Sequence, residues 1–173
     1  MESAGGVLDP LIAQMGKQDI RLKLKIGEDL MTWTDNAANS LHGEDVGALI
    51  DGLISWLGSS NSKIQQNGLE VLSRVVVRQR EDFRPYISSV LPACTDRMGD
   101  AKEVIRDTNA DLLNKMMEVT SPQYILDRLT GAYTHKNFRV REEILLLMQD
   151  TVMRWVLVLR TYPHKPLPLT MYR

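Results

Sequence analysis

A five-residue pattern recurs along this chain at nearly constant distance. Asp19-Ile20-Arg21-Leu22-Lys23, Asn61-Ser62-Lys63-Ile64-Gln65 and Asn137-Phe138-Arg139-Val140-Arg141 read Asn/Asp, any residue, Lys/Arg, apolar, polar. Asp100-Ala101-Lys102-Glu103-Val104-Ile105-Arg106 fits the same pattern with an insertion. The starting positions 19, 61, 100 and 137 are separated by 42, 39 and 37 residues. A period of this length excludes most folds, because each repeat must be one small unit that buries its apolar face only against its neighbours.

The residues between the patterns say what that unit is. Apolar positions follow helical spacing almost throughout, in eight stripes: Val7 to Met15, Leu22 to Trp33, Val46 to Leu57, Ile64 to Val76, Tyr86 to Cys94, Val104 to Met117, Tyr124 to Leu129 and Val140 to Met148. Breakers fall between them at Gly16, Gly58-Ser59-Ser60, Gly99-Asp100, Ser121-Pro122 and Gly131. Val75 to Val77 is β-branched but sits within a helical stripe, and Pro92 falls mid-helix, where a kink is expected. The reading is an all-α solenoid of about four helix pairs, with a period of the HEAT type.

Each part of the pattern has a mechanical reason. Asn or Asp at a helix entrance accepts hydrogen bonds from unpaired backbone N–H groups, so Asp19, Asn61, Asp100 and Asn137 are expected N-caps that fix the turn within each pair. The apolar residue, Leu22, Ile64, Ile105 or Val140, starts the buried stripe. The cation before it then projects from the edge, which places Arg21, Lys63, Lys102 and Arg139 in a row on stacked turns. Lys23, Arg106 and Arg141 follow the apolar position and are expected to turn inward, toward a capping carboxylate or a turn carbonyl of the next repeat.

Charge follows the same geography. Windows 17 to 25, 59 to 66, 97 to 106 and 135 to 141 carry +3, +1, +1 and +3, although the whole chain is -1. A nearly neutral protein thus has a basic edge, suited to an acidic partner rather than to bulk nucleic-acid binding. The longest apolar runs are five residues, Ile144 to Met148 and Trp155 to Leu159, too short to insert in a membrane. A single cysteine, Cys94, and the lack of any Asn-x-Ser/Thr sequon favour the cytosol. No nucleotide, hydrolase or zinc motif occurs, and His42, His135 and His164 lack metal-site spacing. Neither an enzyme nor a cofactor is expected, and Cys94 reads as a small core residue.

The turns also carry a family resemblance. Ser59-Ser60-Asn61-Ser62-Lys63-Ile64, Asp96-Arg97-Met98-Gly99-Asp100-Ala101-Lys102 and His135-Lys136-Asn137-Phe138-Arg139-Val140-Arg141-Glu142 resemble successive turns of a TOG domain. With Leu49-Ile50-Asp51-Gly52-Leu53, Val90-Leu91-Pro92 and Ser121-Pro122-Gln123-Tyr124, they resemble the first TOG domain of the CLIP-associating proteins, the CLASP, Orbit or MAST family. The resemblance implies a HEAT-repeat paddle that binds tubulin or the microtubule lattice through Arg21, Lys63, Lys102, Lys136, Asn137 and Arg139. It also implies a cytoplasmic, cytoskeletal role at plus ends, spindle and kinetochore, beside other plus-end proteins. TOG domains that grip free tubulin strongly usually place a tryptophan in the first turn. Here that turn reads Gly16-Lys17-Gln18-Asp19, and Trp33 lies in the following helix, which lowers the affinity expected for free tubulin. Composition and periodicity alone leave open a generic HEAT scaffold or regulatory subunit that reads an acidic non-tubulin partner.

The carboxyl end sets a further expectation. Residues 1-153 read as the repeat domain and 154-173 as an irregular tail containing Pro163, Pro166 and Pro168. Ile144-Leu145-Leu146-Leu147 is apolar on nearly every side of its helix and calls for a covering partner, so the chain reads as a truncated form of a longer array.

Overall fold

The computed structural model describes residues 6–161, with Trp155 and the last four residues as backbone only. Eight α-helices follow one another: α1 Asp9–Ile12, α2 Ile20–Asp35, α3 Val46–Leu57, α4 Ser62–Gln79, α5 Ile87–Met98, α6 Glu103–Val119, α7 Pro122–Arg128 and α8 Phe138–Thr161. Two 3-10 segments, Arg80–Tyr86 and Thr130–Thr134, join α4 to α5 and α7 to α8. No strand occurs among the described residues. The second helices of the pairs, α2, α4, α6 and α8, stack in sequence. Their partners α1, α3 and α5 line the other layer, and α7 rests on α6. The core runs continuously between the layers.

Several joints hold one pair to the next. Fully buried Trp56 of α3 donates its Nε1–H to the Met15 carbonyl at 3.0 Å, tying the second pair to the turn of the first. Arg74 of α4 meets Asp35 of α2 at 2.7 Å, and that contact holds the Asp35 carboxyl below the usual carboxylate range. Arg78 donates to the Thr34, Asn36 and Asn39 carbonyls, closing the loop that leaves α2. Gly68 lets α4 approach α3, since a Cβ there would stand 2.9 Å from Leu57 Cδ1. Between α6 and α8 the ties are Arg106 to Glu143 at 2.8 Å, Arg154 to Glu118 at 3.9 Å and the Thr151 hydroxyl to the Met117 sulfur at 3.6 Å.

The structure corrects four expectations. The first stripe yields only the single turn α1, with Val7 exposed, because Gly16 and the turn up to Asp19 take up the rest. Val104 is 47% exposed rather than in the core, for Ile105 takes the inward position. Asp100 does not cap α6. The inserted residues move the cap to Lys102, and Asp100 Oδ1 accepts instead from the Lys102 backbone N–H at 3.0 Å, stabilising the turn itself. Finally, α8 continues through residue 154 to Thr161, so the irregular segment does not begin at 154. Arg154 pairs with Asp150 at 2.8 Å in that stretch, and the first proline comes only at 163. The expectation for residues 162–173 lies outside the described residues. Helix α5 runs on through Pro92, which lies on its exposed side.

Candidate functional site

Three of the four turns use the cap that their sequences dictate. Asp19 Oδ1 accepts from the Arg21 and Leu22 N–H groups at 2.8 and 3.1 Å. Asn61 Oδ1 accepts from Lys63 and Ile64 at 2.9 and 3.3 Å. Asn137 Oδ1 accepts from Arg139 at 3.0 Å. Each cap sets the helical phase so that the residue three on turns inward. Ile64, Ile105 and Val140 are buried and Leu22 is half-buried.

The residue after that apolar position is spent on the turn. Gln65 Nε2 donates to the Ser59 carbonyl at 2.6 Å, Arg106 Nη1 to the Asp100 carbonyl at 3.0 Å and Arg141 Nη1 to the His135 carbonyl at 2.5 Å. All three reach back six residues, so one device locks three turns. Arg106 and Arg141 therefore face inward as expected, but toward carbonyls of their own repeat. Arg106 alone also reaches the next repeat, through Glu143. Lys23 is half-buried and its side chain has no polar partner among the described residues.

The remaining cations face out. Arg21, Lys63, Lys102, Lys136 and Arg139 are all exposed. Lys102 Nζ donates to Ser62 Oγ at 2.6 Å, placing the third turn beside the second. Asn137 Nδ2 donates to the Gly99 carbonyl at 3.3 Å, placing the fourth beside the third. Gly99 is required there, because a Cβ would stand 2.5 Å from Asn137 Nδ2. The structure thus brings Lys63, Lys102, Lys136, Asn137 and Arg139 onto one edge of stacked turns, and puts Arg21 at the equivalent place in the first turn. Asn137 differs from the rest, since its carbonyl and amide groups are both engaged internally. Arg139 stacks on the Phe138 ring, its guanidinium carbon 5.4 Å from the centroid.

Sequence reasoning missed the apolar members of this edge. Ile20 is 51% exposed and Phe138 59%, each being the first residue of its helix. A signal existed: both fall between a cap and an arginine, off the buried stripe. Cys94 is elsewhere, fully buried in α5, where burial pushes its thiol up to about 12 and leaves it without thiolate character.

A family model described as CLASP N terminal matches residues 35–162. The CLIP-associating protein of Drosophila melanogaster is 43% identical over 141 residues, covering 80% of this chain and 10% of its own length. This chain belongs to the CLIP-associating protein family. CLIP-associating protein 1 of Xenopus tropicalis is 37% identical over 151 residues, again with 10% of its length covered. The chain therefore spans about a tenth of the curated CLASP relatives it matches. Among solved structures, the MAST/Orbit N-terminal domain is similar at a TM-score of 0.81 and 38% identity, covering 87% of this chain and 68% of that one. The TOG domain of Caenorhabditis elegans Zyg9 aligns at a TM-score of 0.72 and 22% identity, a likeness of fold. The helix pairs of this CLASP chain are thus a HEAT-type solenoid of the TOG class.

Proposed function

We propose that the turn edge of this CLASP domain binds tubulin within the microtubule lattice and that the chain is a binding module of a protein that regulates microtubule dynamics. The observation that carries this reading is the row of outward cations on mutually braced turns. Arg21, Lys63 and Lys136 have no internal polar partner for their side chains among the described residues, while Arg106 and Arg141 are consumed in bracing. The braced turns are already ordered, so their backbone loses little freedom on binding, and cations without internal partners meet an acidic surface in a fixed register. Asn137 enters this interface as the residue that positions Arg139.

Two relatives support the microtubule assignment by their own descriptions. The human TOG array regulator of axonemal microtubules protein 1 is 31% identical over 134 residues, 78% of this chain and 7% of its own. The crescerin structure, described as using a TOG domain array to regulate microtubules in the primary cilium, aligns at a TM-score of 0.65 and 25% identity. Action at plus ends, spindle and kinetochore, in company with other plus-end proteins, belongs to the same proposal.

Reversing the charges with Lys63→Glu, Lys136→Glu and Arg139→Glu together tests the edge. Microtubule co-sedimentation should be abolished, while helicity and the thermal midpoint stay near those of the parent, since surface changes away from caps cost within ~0.5 kcal/mol each. Undiminished co-sedimentation by a folded triple variant overturns the proposal.

A further inference from the structure

We propose that the same edge carries two apolar anchors, Ile20 and Phe138, so that it recognises a folded acidic surface containing apolar recesses rather than negative charge alone. This inference rests on the microtubule reading above and specifies the chemistry of its partner surface. The chain has two phenylalanines, and they are used oppositely: Phe83 is fully buried, whereas Phe138 is 59% exposed. Neither Ile20 nor Phe138 belongs to the hydrophobic core. Both stand at the first helical position, directly after a cap and directly before an arginine that the cap positions. They therefore occupy the same place in the first and fourth turns, at the two ends of the row. The middle turns carry Ser62 and Glu103 at that position, and Ser62 is engaged by Lys102.

The two kinds of turn suit different contacts. The middle turns offer lysines, compact and strongly hydrated, which recognise charge with little demand on shape. The end turns offer an apolar side chain beside an arginine. In the fourth turn the guanidinium lies over the ring, so an apolar side chain and a cation are presented together at one place. Such a pair gains most from a partner site where an apolar recess borders a carboxylate, because ring and guanidinium are then desolvated together. A flexible acidic chain offers no such recess. It would be held by the lysines and released by salt.

The test uses two probes, microtubules and poly-glutamate, with the parent chain and the Ile20→Ala/Phe138→Ala double variant at low and high salt. The double variant should bind microtubules ~tenfold or more weakly, as for the loss of apolar anchors that are desolvated on binding. Its poly-glutamate binding and thermal midpoint should stay unchanged. A Phe138→Trp variant should retain microtubule binding. Microtubule affinity of the double variant within about twofold of the parent overturns the anchors, as does an equal loss on both probes. A parent that binds poly-glutamate but not microtubules instead overturns the proposed function, and the anchors with it.

Discussion

Helices α4 and α8 occupy the same layer and begin from the same kind of turn, yet they are buried very differently. In α4, Ile64, Leu69, Val71, Leu72, Val75 and Val76 are buried, and so are the polar residues Gln65, Asn67 and Ser73. In α8, Val140, Ile144, Leu147 and Thr151 are buried, while Leu145, Leu146, Val152, Met153 and Val156 are at least half exposed. The apolar content of a helix therefore does not decide how much of it is covered. Place in the stack decides it: α4 lies between α2 and α6 with α3 across from it, whereas among the described residues α8 has neighbours on one side only. What fixes α8 there is partly polar, the Arg106–Glu143 and Arg154–Glu118 pairs beside the buried stripe.

The largest effect expected from this contrast comes from the middle of the stack. Leu72→Ala in α4 removes a side chain with 0% exposure and should cost about 2–5 kcal/mol, as should Leu113→Ala in α6 at 1%. Denaturant unfolding measures both. A cost near zero for either would mean that the central helices do not share one core.

A smaller loss is expected where α8 is tied on. Arg106 and Glu143 are 19% and 18% exposed, so their contact is only partly screened by water, and Arg106 also braces its own turn. Arg106→Ala should cost about 1.5–3 kcal/mol, the range for hydrogen bonds to charged groups. The loss should fall unevenly, with limited proteolysis within α8 quickening before cleavage in α4. Uniform quickening along the chain would show that α8 is no looser than the middle of the stack.

Much of this was legible in the sequence, and for one reason. Helical stripes and caps are local, so Asp19, Asn61 and Asn137 could be read as caps and eight helices placed between the breakers. The misreadings came where local signals compete. The turn at Asp100 has its Asp at the right distance from the previous repeat, but the inserted residues put Lys102 at the cap. Val104 satisfies the helical period about as well as Ile105, and only the phase set by the true cap tells them apart. The boundary at 154 followed the loss of the turn pattern after Val152, but a helix can outlast that pattern: proline bars it only at its own position and the residue before, so α8 runs on to Thr161. At the binding edge, the cations could be named from the repeat alone. Which arginines turn inward could be named as well, but not their partners, since those depend on how far one turn sits from the next. Ile20 and Phe138 were overlooked because an apolar residue in a helical chain is ordinarily assigned to the core.

The smallest expected effect tests the outer face of α8. Ile144 and Leu145 are adjacent in sequence and one helical step apart, yet they are 0% and 59% exposed. Leu145→Gln removes apolar surface that water already reaches and replaces one good helix former with another, so it should change stability by no more than ~0.5 kcal/mol. Val152→Gln, at 56% exposure, should be neutral or slightly stabilising, because valine loses side-chain freedom in a helix that glutamine keeps. Ile144→Gln is the control: it places an amide in the core and should cost several times more, with thermal midpoints of all three variants read side by side. If Leu145→Gln proves as costly as Ile144→Gln, the outer face of α8 is covered in solution, and the contrast between α4 and α8 is lost.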